Sequence, residues 1–121
     1  MKQTTLNSFL IAMKTELKEA EGKHAKFCDE LCDSEGAWDK VAEHYKRVND
    51  TCETYEAYLL LYEEVSEALE AYSKKDYKQA IKELAQCGAV ILRMMEFVKK
   101  QADAEITSMA TGSDINSTHR G

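Results

Sequence analysis

Two short groups of oxygen-bearing side chains are the part of this sequence best suited to chemistry. Glu64 and Glu67 form the first group, and Glu83 and Gln86 form the second. Residues three apart on a helix lie on one face, and the face that holds the first group also holds Leu60. Two carboxylates on a partly buried face repel each other, and burial adds a desolvation cost, unless a cation or a proton offsets both effects.

A turn between the two groups brings them together. Residues 73–75, Ser-Lys-Lys, form a polar break between two helical patterns. In an antiparallel hairpin around this break, Glu67 lies level with Glu83, and Glu64 lies level with Gln86. Three carboxylates and one carboxamide then converge in the groove between two helices. Oxygen ligands of this kind suit a hard cation, Mg²⁺ or Mn²⁺.

A second interpretation of the same glutamates involves no metal. In that interpretation they form ion pairs with lysines such as Lys78 and Lys82 on a half-exposed seam. Glu56, Glu63 and Glu70 recur at heptad spacing, which is typical of a solvated helix face. The residues by themselves leave the metal and the ion pairs as alternatives.

Apolar spacing and the scarcity of turn residues predict the elements that position these side chains. The chain has no proline and 5 glycines, too few for the frequent turns of a β-sandwich or barrel. Its apolar residues recur at steps of three and four, which predicts helices. We therefore expect an all-α protein, an antiparallel bundle of three long helices or of four.

Polar clusters and capping residues predict where the first and last helices begin and end. The first helix is predicted over residues 4–33. The last is predicted over residues 77–106, with Asp76 as its N-cap. Residues 1–110 then form a single helical domain, and residues 111–121, which are small, polar and aperiodic, are expected to be a disordered tail.

The middle segment, residues 38–72, keeps its apolar spacing without a slip. Asp50 followed by Glu53 has the spacing of a capping box. The segment is therefore either one continuous helix or two collinear helices with a kink near Asn49.

The last predicted helix is apolar around most of its circumference over residues 84–98. A helix of this kind is either the central helix of a bundle or part of a subunit interface. Gly88 in its middle suggests the close approach of another backbone. We expect a homodimer or a higher homo-oligomer.

Charge and hydropathy argue against several classes of partner. The 16 Lys and Arg residues against 22 Asp and Glu residues give a net charge of -6, which disfavours binding to a nucleic-acid duplex or an anionic membrane. The sequence lacks an apolar run near the ~18 residues of a membrane span, and its first residues do not resemble a signal peptide. We expect a cytoplasmic protein whose four cysteines are reduced thiols.

The two polar groups resemble the signature of a known family. Residues 63–67, EEVSE, followed by residues 83–86, ELAQ, resemble the EExxE…ExxD signature of the MazG-type all-α nucleoside triphosphate pyrophosphohydrolases. The surrounding residues 58–98 look like the central helical hairpin of that family. Gln86 departs from the signature, which has an aspartate there. Either three carboxylates hold the metal, or the chain has lost catalysis and kept the scaffold.

The resemblance implies hydrolysis of an NTP or dNTP to the monophosphate and pyrophosphate. It implies that Glu64, Glu67 and Glu83 are Mg²⁺ ligands, with Gln86 at the fourth ligand position and Glu63 as a helper carboxylate. Such a metal bridges phosphate oxygens and lowers the pKa of the attacking water.

Helical position suggests further residues for this reaction. Arg93 or Lys82 is placed to neutralise charge on the leaving pyrophosphate. Trp38, or a tyrosine such as Tyr58, is placed to stack on the base; Tyr55 and Tyr62 are equivalent candidates. The alternative is that these aromatic residues belong to the core.

Two other interpretations remain open. His24, Cys28 and Cys32 are spaced four apart and suggest zinc, with Cys52, Cys87 or His44 as a fourth ligand. Zinc ligands more often come in pairs from a turn, and this chain has no such pair.

The competing functional class is a non-enzymatic helical module, a catalytically degenerate relative that binds a nucleotide or a partner protein. The intact glutamates favour the enzyme, whereas Gln86 and the unmatched N-terminal region favour the module. A purely structural bundle is a third possibility.

Overall fold

The structure is a computed structural model and describes residues 1–110. Within that range it contains four α-helices and no strand. The all-α prediction is confirmed, with four helices rather than three. Residues 111–121, predicted to be a disordered tail, lie outside the described residues. The helices are α1 (Gln3–Lys23), α2 (Trp38–Thr51), α3 (Ala57–Ser73) and α4 (Tyr77–Ala110).

The first helix, α1, is shorter than predicted. It ends at Lys23, where the backbone N–H of His24 donates to the carbonyl of Ala20 (2.8 Å). Residues 24–37 form an irregular connection in which Phe27 is 87% exposed. The prediction of a helix to residue 33 was wrong: the helix ends one residue after Gly22, and glycine is unfavourable in a helix.

Residues 38–72 fold into an antiparallel pair of helices, α2 and α3. The Asn49 side-chain amide donates to the carbonyl of Leu59 (3.2 Å), and the rings of Tyr45 and Tyr62 meet edge to face at 5.5 Å. Both predictions for this segment, a continuous helix and two collinear helices, were therefore wrong. A continuous helix, two collinear helices and a folded pair all have the same apolar stripe. In the folded pair, each helix buries its part of the stripe against the other helix.

The predicted capping box is also absent from the break between these helices. Asp50 lies within the last turn of α2, and the N-cap position of α3 is Glu56. Residues 52–56 reverse the chain instead.

The central helix of the bundle is α3, which packs against α2 on one side and α4 on the other. Its buried residues are all small: Ser66, Ala68 and Ala71. Small side chains allow the helices on either side to approach closely, and this brings the polar side chains of α3 and α4 within reach of each other.

A tight turn joins α3 to α4 at the predicted place. Lys75 has φ 62°, the left-handed conformation typical of a residue just after a helix. The Asp76 carboxylate accepts a hydrogen bond from the backbone N–H of Gln79 (3.2 Å), so the predicted N-cap is confirmed.

The longest helix, α4, buries Ala80, Cys87 and Val90 and packs closely on α3. Its second neighbour is α1, which contacts no other helix. No residue of α1 is buried, and the N-terminal ammonium lies 3.9 Å from Glu96. The central position predicted as one alternative for α4 belongs to α3, which has a closely packed helix on each side, and the alternative of a subunit interface stays a prediction.

None of the helices in the described part of the chain has the length and apolar character needed to cross a membrane.

Candidate metal centre

The structure brings the predicted carboxylates together where α3 faces α4. Glu63, Glu64 and Glu67 each offer an oxygen atom within 4.8 Å of the other two. Glu67 also forms a side-chain hydrogen bond with Glu83 of α4. All four side chains are half-buried. The antiparallel register that the sequence predicted for this hairpin therefore produces one carboxylate cluster.

Gln86 bridges the two helices within this cluster. One end of its side-chain amide lies 2.8 Å from Glu64 Oε2 and 2.9 Å from Glu83 Oε2, and this end is assigned as the nitrogen, which donates to both. The opposite orientation would set the amide oxygen against two carboxylates, which only accept hydrogen bonds when ionised. The residue that departs from the family signature thus holds two like charges together as a neutral donor. To bind a metal it would have to turn its oxygen toward the cluster.

The cluster is not neutralised by basic side chains. No ion pair among residues 1–110 includes Glu63, Glu64, Glu67 or Glu83. The alternative in which Lys78 and Lys82 pair with these glutamates was therefore wrong, and both lysines are exposed.

The pKa values of two carboxyl groups in the cluster, those of Glu64 and Glu67, are raised. Burial, followed by the charges of Glu83 and Glu63, raises the pKa of Glu64. Burial first, then the nearby charges and the hydrogen bond with Glu83, raises the pKa of Glu67 to about 7. A proton on Glu67 therefore offsets part of the repulsion near neutral pH, and a divalent cation offsets the same repulsion more fully.

Two amide side chains donate hydrogen bonds to the outer oxygens of the cluster, and the sequence analysis did not predict either of them. Asn49 of α2 donates to Glu63 Oε1 (2.9 Å), and Gln79 of α4 donates to Glu83 Oε1 (2.7 Å). The prediction that Glu63 belongs to a solvated face was wrong for this reason. Asn49 lies beside the apolar stripe of α2 and is half-buried, and a polar residue at the edge of this stripe was the available signal.

An open groove of about 700 Å³ extends from the cluster between α2, α3 and α4. Glu67 and Glu83 line it together with four further acidic residues and two lysines, Lys46 and Lys74. Lys74 pairs with Glu70 (2.8 Å), whereas Lys46 has no ion pair within the described residues. The remaining lining residues are Asp39, Ala42, Glu43, Ala71, Asp76 and Gln79.

The predicted cations lie outside this groove. Lys82 precedes Glu83 but is exposed and does not line it. Arg93 is exposed and lies two turns beyond Gln86, about 10 Å along α4.

The predicted aromatic contacts lie near the two ends of the α2–α3 pair. Trp38 begins α2, next to Asp39 of the groove, and its indole N–H donates to the carbonyl of Asp33 (2.8 Å). Tyr58 packs edge to face on Tyr62 at 5.4 Å. Tyr62 in turn packs on Tyr45, so these tyrosines lie between α2 and α3.

The zinc interpretation is not supported by the fold. His24, Cys28 and Cys32 belong to the irregular connection after α1, and the first two are exposed. Within residues 1–110, the group of glutamates at 63, 64 and 67 is the one set of three His, Cys, Asp or Glu side chains close enough to bind an ion. All four cysteines are free, and burial raises the pKa of the Cys87 thiol, which lies near Glu64.

No family model, no curated protein and no solved structure matches this chain. The resemblance to the MazG-type signature therefore rests on the residues of the two motifs and on their spacing.

Proposed function

We propose that this protein is a Mg²⁺-dependent nucleoside triphosphate pyrophosphohydrolase, which converts an NTP or dNTP to the monophosphate and pyrophosphate. The observation that carries the proposal is the cluster of Glu64, Glu67 and Glu83, which has no basic partner among residues 1–110. All of its donor atoms are carboxylate oxygens, and these are the ligands that Mg²⁺ and Mn²⁺ prefer.

Three residues of the cluster would bind the metal, and a fourth would accept a proton. Glu64, Glu67 and Glu83 would hold Mg²⁺, and Glu67 would lose its proton as the cation binds. The bound metal supplies a polarised phosphoryl group and a more acidic water. Glu63, fixed by Asn49, would accept the proton of the water as its oxygen attacks the α-phosphorus. The bond between the α-phosphorus and the bridging oxygen then breaks, and pyrophosphate leaves.

The groove would hold the rest of the nucleotide. Lys46 faces it without an ion-pair partner in the described chain and would contact the β- and γ-phosphates. Lys46 would then take the role for which the sequence suggested Lys82 or Arg93. Trp38, which directly precedes Asp39 of the groove, would contact the base, whereas Tyr58 is 45% exposed and packs on Tyr62.

A second candidate function is a binding module that has kept the scaffold without the activity. The chemistry of Gln86 favours it: between two ionised carboxylates, a carboxamide is satisfied as a hydrogen-bond donor through its nitrogen and not through its oxygen. In that case the groove would still accept a nucleotide or a partner protein. In either case we propose that the chain acts in the cytoplasm as a homodimer or higher homo-oligomer.

Pyrophosphate release from a panel of NTPs and dNTPs, with Mg²⁺ or Mn²⁺, tests the proposal. The Glu64→Gln/Glu67→Gln variant keeps the shape of the cluster and removes two charges, and we expect it to lower the release at least 100-fold. Glu56→Gln is the matched control, since Glu56 is exposed at the start of α3 and lies outside the cluster. Nucleotide binding without release from any substrate would overturn the enzyme and favour the module.

A further inference from the structure

An apolar stripe runs along the whole length of α4. Its residues recur at alternating steps of four and three, the heptad spacing of a seam between two helices. All of them are apolar or glycine except Glu105. This outer seam consists of Tyr77, Ile81, Leu84, Gly88, Ile91, Met95, Val98, Ala102, Glu105 and Met109.

The fold of one chain leaves most of the outer seam in solvent. Ile81 is 69% exposed, Val98 is 62% exposed and Met109 is 66% exposed. The residues through which α4 packs on the bundle, Ala80, Cys87 and Val90, are not part of the seam.

The buried core of the described chain consists of small side chains. It contains four alanines, Cys87 and Val90, together with Ser66, and no large side chain within residues 1–110 is fully buried. A chain that buries its alanines and exposes its isoleucines has an incomplete core, because large apolar side chains give most of the free energy of burial. The large residues of α4 therefore require a second apolar surface.

We infer that two copies of this chain associate through the outer seam, with the two α4 helices antiparallel and aligned along their whole length. The seam is self-complementary about the point midway between Ile91 and Met95, because every seam position has a second seam position at the same distance on the other side of that point. Antiparallel pairing about this point sets each Leu84 against Ala102 of the second copy, and the two helix dipoles oppose each other.

Gly88 fits this arrangement, in which it faces Val98 of the second copy. Glycine is unfavourable in a helix interior, so its presence there needs a reason. A Cβ at this position would meet no other described atom within 4 Å, apart from its own helical turn. The close approach that Gly88 suggests therefore does not come from residues 1–110 of the same chain, and a second α4 supplies it.

The size of the seam is sufficient for a dimer. A helix of 34 residues is about 51 Å long, and with a width of ~10 Å it offers about 500 Å² per chain. Two copies then bury about 1,000 Å², which reaches the lower bound of a specific interface.

This inference rests on the self-association in the proposed function and is independent of nucleotide hydrolysis. Sedimentation of the full chain should give a mass about twice 13.7 kDa. Ile81→Lys/Ile91→Lys should weaken association at least 100-fold while the helical circular dichroism is unchanged. Ala89→Lys/Phe97→Lys is the matched control, because both positions are exposed on α4 and lie outside the outer seam.

The two possible failures are distinct. A monomeric wild-type chain would overturn self-association together with the seam. A dimer that survives Ile81→Lys/Ile91→Lys would overturn the seam alone and move the interface to another surface. Pyrophosphate release is measured separately and decides neither outcome.

Cysteine cross-linking tests the antiparallel orientation. In a Cys28→Ser background, which removes the exposed native thiol, Leu84→Cys/Ala102→Cys should form a disulfide-linked dimer under mild oxidation. The two thiols lie about 27 Å apart on one helix and cannot join within a chain. Leu84→Cys alone should stay monomeric on a denaturing gel. A cross-link in that single variant would show parallel helices and overturn the proposed orientation.

Discussion

Glu67 of α3 and Glu83 of α4 form a hydrogen bond with each other across the helical hairpin. Two carboxyl groups form such a bond when one of them carries a proton. The hydrogen-bonded pair therefore binds a proton at the place where the sequence predicts a cation. Gln86 contributes to the same balance, since it donates to both Glu64 and Glu83. Hydrogen-bond donors and one proton thus offset the repulsion among the four acidic side chains of the cluster.

The raised pKa of Glu67 predicts how stability depends on pH. The pKa of Glu67 is about 7 in the folded chain against an ordinary value of 4.5. Between these values the folded state binds more protons than the unfolded state, so the free energy of unfolding falls as the pH rises from about 4.5 to 7. We expect denaturant unfolding in EDTA to show higher stability at pH 5.5 than at pH 8.

Glu67→Gln is the matched variant for this test. It should be at least as stable as the wild type at pH 8 and should lose most of the pH dependence in this window. Mg²⁺ should stabilise the wild type more at pH 8 than at pH 5.5, because the cation competes with the proton. A wild type that becomes more stable as the pH rises through 7 would contradict the assignment of the proton to Glu67.

Gln86→Asp should tighten Mg²⁺ binding. The change replaces a neutral donor by a fourth carboxylate beside Glu64 and Glu83, and about 1.4 kcal/mol of added attraction corresponds to tenfold in affinity. We expect about a tenfold lower Kd by titration calorimetry. The metal-free variant should unfold more readily at pH 8, since the bridging donor is lost.

Gln86→Leu separates the two effects of that substitution. It removes the donor without adding a charge, so it should destabilise the metal-free chain and leave Mg²⁺ binding no tighter. An unchanged Kd for Gln86→Asp would place the metal elsewhere.

Asn49 should couple α2 to the carboxylate cluster. Its side-chain amide donates to Glu63 and to the carbonyl of Leu59, and removing a partly buried donor costs about 1–3 kcal/mol. Asn49→Ala should lower the free energy of unfolding by that amount, whereas Asp50→Ala at the exposed neighbouring position should change it little. A double-mutant cycle with Glu63→Ala should give a coupling energy of about 1 kcal/mol. Strictly additive effects would show that the Asn49–Glu63 bond contributes nothing.

Lys75→Gly should stabilise the turn that sets the register of the cluster. Lys75 has φ 62°, a conformation that costs a residue with a side chain roughly 1 kcal/mol and costs glycine little. The free energy of unfolding should rise by up to about 1 kcal/mol. Lys78→Gly, in the first turn of α4, is the control and should lower it by a similar amount, because glycine is unfavourable within a helix. Destabilisation by Lys75→Gly would indicate that the side chain matters more than the backbone conformation.

The sequence by itself determined the helical class and the place of the site. Spacing of three and four, together with the lack of proline, excludes a β-fold. The break at 73–75 and the N-cap at Asp76 set the register in which Glu67 meets Glu83. These features are local, because each depends on residues within a few turns of one another in the sequence.

Tertiary structure decided the path of the remaining chain and the surroundings of the cluster. The apolar stripe of residues 38–72 suits a straight helix and a folded pair equally well, and only the antiparallel packing of α2 brings Asn49 to Glu63. The spacing of Phe27 and Leu31 likewise suits a longer α1, but no neighbouring face buries them. Periodicity shows which face of a helix is apolar; the partner that buries that face lies far away in sequence, so only the folded chain shows which helix it is.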